Sequence, residues 1–268
     1  MKLLRHRFIA LFALTLLPAQ LALAQEKWTG RPEWGQHFRK AKVGGSFLLY
    51  DLNLKRYSAY NTKRARTRFI PASTYKILNS LIALEANVVA DEKEVIRWDG
   101  VKREFPDWNK DHNMRQAMKN STVWFYQELA RRIGKPQMQE YVHKVGYGNR
   151  NIGGGIDQFW LRGDLRISSP EQIQLLVRLH QNRLPFAQRS MNIVKDILIL
   201  ERNANSTFRG KTGWAFDNKP QIGWFVGYVQ KKNNAYFFAL NIDVLKPADI
   251  PARISVTKSI LRAEKILN

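Results

Sequence analysis

Ser73-Thr74-Tyr75-Lys76 places a hydroxyl and an amine three residues apart. On a helix, residues i and i+3 share a face, which sets Lys76 beside the Ser73 hydroxyl. A serine becomes a nucleophile when a neighbouring base takes its proton. A free lysine is protonated near neutral pH, but burial among apolar groups lowers its pKa because the charged form is desolvated. Two later motifs complete a set for acylating a serine. Ser121-Thr122-Val123 supplies a second hydroxyl able to relay a proton, and Lys211-Thr212-Gly213 supplies a cation and a hydroxyl able to hold a substrate carboxylate. Gly213 lets a ligand approach the backbone. Each motif also has an ordinary reading: Ser121 suits the N-cap of a helix starting near Trp124, and Lys211-Thr212-Gly213 suits a turn between strands. The Ser-x-x-Lys spacing recurs at Ser255-Val256-Thr257-Lys258, without partner motifs, and there it is read as accidental.

The elements that must position these residues can be traced from apolar periodicity. Gly45 to Asp51 and Tyr57 to Tyr60 read as a two-stranded hairpin. Pro71 opens a stretch free of Gly and Pro up to Asn87, in which Tyr75, Leu78 and Ile82 recur at helical spacing. Ser73 falls in its first turn, where free N–H groups and the positive dipole end favour an oxyanion. From about Asp91 to Leu200 the chain reads as mostly helical, with a long Gly- and Asn-rich loop from Gly146 to Gly155. Strands return at Ser206–Trp214, Gln221–Gln230 and Ala235–Asp243, and a last helix runs from about Ala252 to Leu267. This order predicts an α+β fold: an antiparallel sheet built from both ends of the chain, flanked by helices, with a helical subdomain inserted.

Residues 1–24 read as a secretory signal peptide. Lys2, Arg5 and Arg7 precede an apolar run from Phe8 to Leu17, Pro18 breaks it, and Ala22-Leu23-Ala24 is a small-x-small cleavage site before Gln25. The run is too short to span a bilayer. Removing 24 of the 268 residues leaves 244, enough for one domain with a sizeable core, residues 25–268. The chain has no cysteine, which excludes disulfides, thiolate chemistry and a lipid-modified cysteine anchor. The net charge of +22, or +19 without the three basic residues of the leader, is densest from Lys55 to Arg68. No nucleic-acid-binding signature stands beside that run, so it is read as a basic surface of an exported protein. The five histidines show no metal-ligand spacing, and His112 is read as a hydrogen-bonding structural residue. Gly153-Gly154-Gly155 lacks the ending of a phosphate loop.

With these motifs in this order, the chain resembles the class D, or oxacillinase-type, serine β-lactamases. Tyr147-Gly148-Asn149 matches a family motif, and Phe159-Trp160-Leu161 carries the tryptophan that members place over a modified lysine. Trp108 to Asn113 and Tyr126 to Ala130 are also similar to family text, and the likeness runs over the whole mature chain. The resemblance implies that Ser73 forms an acyl-enzyme with a β-lactam. It implies that Lys76, N-carboxylated by carbon dioxide, is the general base, with Trp160 holding the carbamate through its indole N–H. Ser121 would pass a proton toward the lactam nitrogen. Lys211, Thr212 and Arg253 would bind the substrate carboxylate, and the N–H groups of Ser73 and Trp214 would form the oxyanion hole. Val123, Gly213 and Trp214 are expected to line the substrate pocket, with Tyr147 as a neighbour of the site. No metal and no bound cofactor is implied, and the partner is a small β-lactam, with no nucleic acid and no stable membrane insertion. A periplasmic monomer or homodimer is expected. Where many relatives have Pro after Ser-x-Val, this chain has Trp124, whose bulk is expected to narrow the pocket wall. A β-lactam sensor or a penicillin-binding peptidase, both slow to deacylate, is the alternative.

Overall fold

The computed structural model describes residues 27–217 and 219–267; the expected signal peptide lies outside them. The chain opens with strand β1 (Lys27–Gly30) and helix α1 (Gly35–Ala41), followed by the hairpin β2 (Gly45–Asp51) and β3 (Arg56–Tyr60) and a short α2 (Thr62–Arg66). A 3₁₀ turn, Ala72–Tyr75, leads into α3 (Lys76–Glu85). A two-stranded ladder, β4 (Val95–Ile96) and β5 (His112–Asn113), introduces the helical region. Its helices are α4 (Met114–Asn120), α5 (Val123–Ile133), α6 (Lys135–Val145), α7 (Ser169–His180) and α8 (Gln188–Ile197). Strands β6 (Ile199–Arg202), β7 (Ser206–Ala215), β8 (Gln221–Lys231) and β9 (Asn234–Val244) precede α9 (Ala252–Ala263).

The seven strands of the main sheet lie in the order β1-β3-β2-β9-β8-β7-β6. Both ends of the chain therefore build one sheet, joined where Leu48 faces Ala239 across β2 and β9. Every pairing is antiparallel except at one edge, where β1 runs parallel to β3. The expected antiparallel sheet is present, with one parallel pairing added at its edge. The chain leaves β1 through α1 before the β2–β3 hairpin, so β1 and the outer hairpin strand lie side by side in the same direction.

Both faces of the sheet are covered, which is why β8 and β9 read as nearly continuous apolar runs. On one face Trp224, Val226, Phe237 and Ala239 pack against the helical region around α3. On the other, Phe225, Phe238, Leu240 and Ile242 pack against Phe38 of α1 and Val256 and Ile260 of α9. Helix α3 is buried from Lys76 to Leu84, Lys76 included. A lysine at such a position bears directly on the chemistry.

The dense basic run is partly structural. Arg64 makes two bonds to the Asp243 carboxylate, at 2.8 and 3.0 Å, and one to Asn241 Oδ1 at 2.8 Å. Arg66 lies 4.0 Å over the Trp28 ring, and Arg68 pairs with Glu171.

Candidate active site

Ser73 sits in the 3₁₀ turn, not in the α-helix proper, and Lys76 is the first residue of α3. A 3₁₀ turn has three residues per turn, so i and i+3 eclipse each other. Lys76 Nζ accordingly lies 2.7 Å from Ser73 Oγ. The residue before the nucleophile, Ala72, is buried with φ 48°, a left-handed conformation costly for a residue with a Cβ. Thr74 N–H and its hydroxyl both donate to Pro71 O, closing the turn.

Ser121 is not an N-cap. It caps the C-terminal end of α4 in the left-handed region, at φ 55°, and Thr122 is the N-cap of α5. This aims its hydroxyl at β7, where Lys211 Nζ lies 2.9 Å from Ser121 Oγ and 3.0 Å from Thr212 O. Strand β7 is an edge beyond Gly210: Gly210 N–H donates to Leu198 O, and among the described residues no partner strand follows. Strand alternation turns the N–H of Thr212 and of Trp214 to that same open edge, which faces the turn of Ser73. The space on the Cβ side of Gly213, expected to admit a ligand, is filled by the protein itself. A Cβ there would meet Pro71 O at 3.0 Å and Thr74 Cγ2 at 3.2 Å, so the glycine lets β7 press against the nucleophile turn.

The electrostatics are those of a buried cationic site. Burial, and then the charge of Lys211, push the Lys76 amine well below its ordinary pKa. Burial, followed by Arg253, lowers Lys211 to about 7. Burial lowers Arg253 to about 10, and its Nη1 donates to Gly213 O and its Nε to Ile250 O. Among the described residues no carboxylate pairs with Lys76, Lys211 or Arg253, so an anion entering the site meets the uncompensated charge of Arg253 and of Lys211 when protonated. Also among the described residues, no group of three acidic or histidine side chains is placed to hold a metal.

A cleft of about 480 Å³ flanks the site, lined by Val123, Leu161, Trp214, Phe216 and Leu245 among others. Arg162 reaches Asp217 at 3.5 Å across its mouth. These last two residues belong to loops and carry no motif signal. Trp214 Nε1 donates to Gln221 Oε1. Trp124 does not narrow the wall: its Nε1 donates to Trp108 O at 2.7 Å and its ring meets His112 edge-on, tying α5 to the segment before α4. His112 itself is buried, its Nδ1 2.8 Å from Lys110 O.

Trp160 is fully buried and stacked on Tyr75 at 5.4 Å, and its indole N–H has no partner among the described residues. Tyr147 does not reach the cleft. Gly146 ends α6 at φ 67°, and the chain turns Tyr147 inward, edge-on to Tyr75 at 5.4 Å. Sequence reading missed Gln172 of α7, whose Nε2 donates to Thr74 Oγ1 at 2.7 Å. The second Ser-x-x-Lys is inert: Ser255 is exposed, and Lys258 is paired with Glu201.

Residues 38–263 match the family of penicillin binding protein transpeptidase domains. The chain is 41% identical to the β-lactamase OXA-48 of Klebsiella pneumoniae over 263 residues, 97% of this chain and 99% of the relative. It is 46% identical over 199 residues to the probable β-lactamase YbxI of Bacillus subtilis (strain 168), 74% of each chain. Among solved structures, the class D β-lactamase YbXI from Nostoc superposes with a TM-score of 0.87 at 49% identity, covering 88% of this chain and all of that one. FUS-1 (OXA-85) from Fusobacterium nucleatum subsp. polymorphum gives 0.87 at 40% identity, covering 90% and 100%. The order of the motifs, the fold and the near-complete coverage agree, and the chain belongs to the class D serine β-lactamases.

Proposed function

We propose that the protein hydrolyses β-lactams through an ester at Ser73, with Lys76 at the base position. The observation that carries this is the 2.7 Å approach of Lys76 Nζ to Ser73 Oγ inside a buried, cationic site. Ser73 Oγ attacks the lactam carbonyl as its proton passes to the side chain of Lys76. The oxyanion forms between the N–H of Ser73, at the start of its turn, and that of Trp214 on the open edge of β7. As the C–N bond breaks, Ser121 Oγ gives its proton to the lactam nitrogen and recovers one from Lys211, whose pKa of about 7 suits transfer in either direction. Thr212 Oγ and the remaining N–H groups of Arg253 hold the substrate carboxylate, while Val123 and Trp214 flank the rest of the molecule. Water then cleaves the ester and restores Ser73.

Carboxylation of Lys76 by carbon dioxide fits the residues present. The amine is buried and favoured in its neutral form, and among the described residues it has no carboxylate partner and the buried indole N–H of Trp160, stacked on neighbouring Tyr75, is unpaired. When present, the carbamate would supply an anionic oxygen base, and Trp160 would hold it through its indole N–H. The enzyme acts after export, the leader at residues 1–24 having been removed.

A time course of a chromogenic β-lactam, with and without bicarbonate, tests the reading. Sustained turnover that rises with bicarbonate is expected. A burst of about one product per protein, followed by silence in bicarbonate, would identify a stable acyl-enzyme and hence a sensor or penicillin-binding peptidase. Ser73→Ala abolishes covalent labelling by a fluorescent penicillin, whereas Ser255→Ala retains it.

A further inference from the structure

We propose that Gln172 is a positioning residue for the nucleophile, acting through Thr74 on the turn that carries Ser73. The proposal rests on Ser73 being the nucleophile. Gln172 and Thr74 are both fully buried, and neither lines the cleft. Their hydrogen bonds form one chain: Gln172 Nε2 donates to Thr74 Oγ1 at 2.7 Å, and Thr74 Oγ1 donates to Pro71 O at 2.7 Å. Pro71 and Thr74 bracket Ala72 and Ser73, and Ala72 is held at φ 48°. An alanine remains in that region only when its surroundings over-determine it. Pro71 O is also the atom against which Gly213 of β7 packs. The turn is thus braced from two sides, by α7 through an amide and by β7 through bare backbone.

The brace is polar where an apolar contact would suffice for stability. The Tyr147 phenol, buried beside the pair, adds polar contacts to Thr74 and Gln172. Replacing a buried hydrogen-bonded pair by apolar groups of similar shape is nearly neutral for folding. What the amide adds is direction. It fixes the Thr74 hydroxyl on Pro71 O, and with it the placement of Ser73 Oγ. Small displacements of a reacting group are expensive in rate even when the fold is unaffected. This gives a role to Tyr147 as well, whose phenol closes the far side of Gln172 and whose motif otherwise has no contact with the cleft.

The test is the single-turnover acylation rate of the full mature chain with a chromogenic penicillin, measured beside its thermal midpoint. Gln172→Leu and Thr74→Val are each expected to slow acylation about tenfold or more, with melting changed by only about a few degrees. Thr74→Ser keeps the hydroxyl and is expected to keep the rate. Because both side chains act in one chain, the double variant is expected to be no slower than the slower single one. Gln172→Glu preserves shape. Its neutral acid can donate to Thr74 and its anion cannot, so its rate relative to wild type is expected to fall as pH rises. A purely structural role would not produce that profile. Acylation within about twofold of wild type in both single variants, additive losses, or a pH-independent ratio for Gln172→Glu would each overturn the proposal. Wild-type protein that is not labelled at Ser73 would instead overturn the reading on which it rests.

Discussion

At the scale of single residues, the site concentrates positive charge where water is scarce, and this ties function to a cost in stability. Lys211 titrates at 10.5 in a free chain and at about 7 in the fold, chiefly through burial and then through Arg253. Between these values the unfolded chain holds a proton that the native site has released. Stability therefore rises with pH across that window, by at most about 1.4 kcal/mol per unit, and the full penalty stands below it. Lys211→Met is expected to melt no earlier than wild type at pH 7 and to show a flatter stability profile above it. Its kcat/KM should fall about 100- to 10,000-fold, the loss expected from removing the group that returns a proton to Ser121. A lower midpoint at pH 7 with an unchanged slope would show that this amine does not bear the burial cost. The motifs made Ser73, Lys76, Ser121 and Lys211 legible because their chemistry needs fixed spacings. Gln172 was not legible: it is one polar residue among the buried positions of an amphipathic helix, and its meaning depends on Thr74, 98 positions away.

At the scale of elements, what could be read depended on length and self-sufficiency. The hairpin at Gly45 and the strands β7, β8 and β9 are long and carry their own apolar pattern, and each appears within a residue or two of its expected place. β1 and α2 span four and five residues and are held by distant partners. Trp28 stacks on Tyr57 at 5.1 Å, and Arg64 needs Asp243. Tertiary context supplies what local propensity lacks. Helix α7, which carries Gln172, shows how such an element is anchored. Glu171 in its first turn accepts from the N–H and the hydroxyl of Ser168 and pairs with Arg68. Burial alone would raise the pKa of Glu171, but the bonds from Arg68 and Ser168 outweigh it and hold the carboxyl below its usual value. The stabilisation is thus present above the ordinary carboxyl pKa and lost as pH falls through the lowered one. Glu171→Gln is expected to cost about 1 kcal/mol at pH 7, a drop of about 2–4 °C in Tm. The gap to wild type should close as pH falls through that lowered pKa, below which wild-type Glu171 is itself neutral. A gap independent of pH would mean that the carboxylate charge contributes nothing to the cap.

At the scale of the whole molecule, the site exists only where distant parts of the chain meet. Ser73 comes from the junction after the first hairpin, Ser121 from the helical region, and Lys211 and Arg253 from the C-terminal strands and helix. The sequence order of strands and helices implied this closure, since both chain ends were needed for one sheet. What it did not indicate is the clasp behind the sheet. Glu264, just past α9, accepts from Trp34 Nε1 at 2.9 Å and pairs with Arg31, both near the N-terminal end of the described chain. Trp34 is buried, so without Glu264 its indole N–H would lose its partner in the interior. Glu264→Ala is expected to cost about 1–3 kcal/mol in a urea unfolding curve, and Glu264→Gln, which keeps an acceptor, to cost less. The clasp lies with α1 and α9, on the face of the sheet away from Ser73 and α3. Both variants should therefore keep wild-type kcat at temperatures well below their midpoints. A fall in kcat under conditions where Glu264→Ala is fully folded would show that the clasp sets the geometry of the cleft as well as the stability of the sheet.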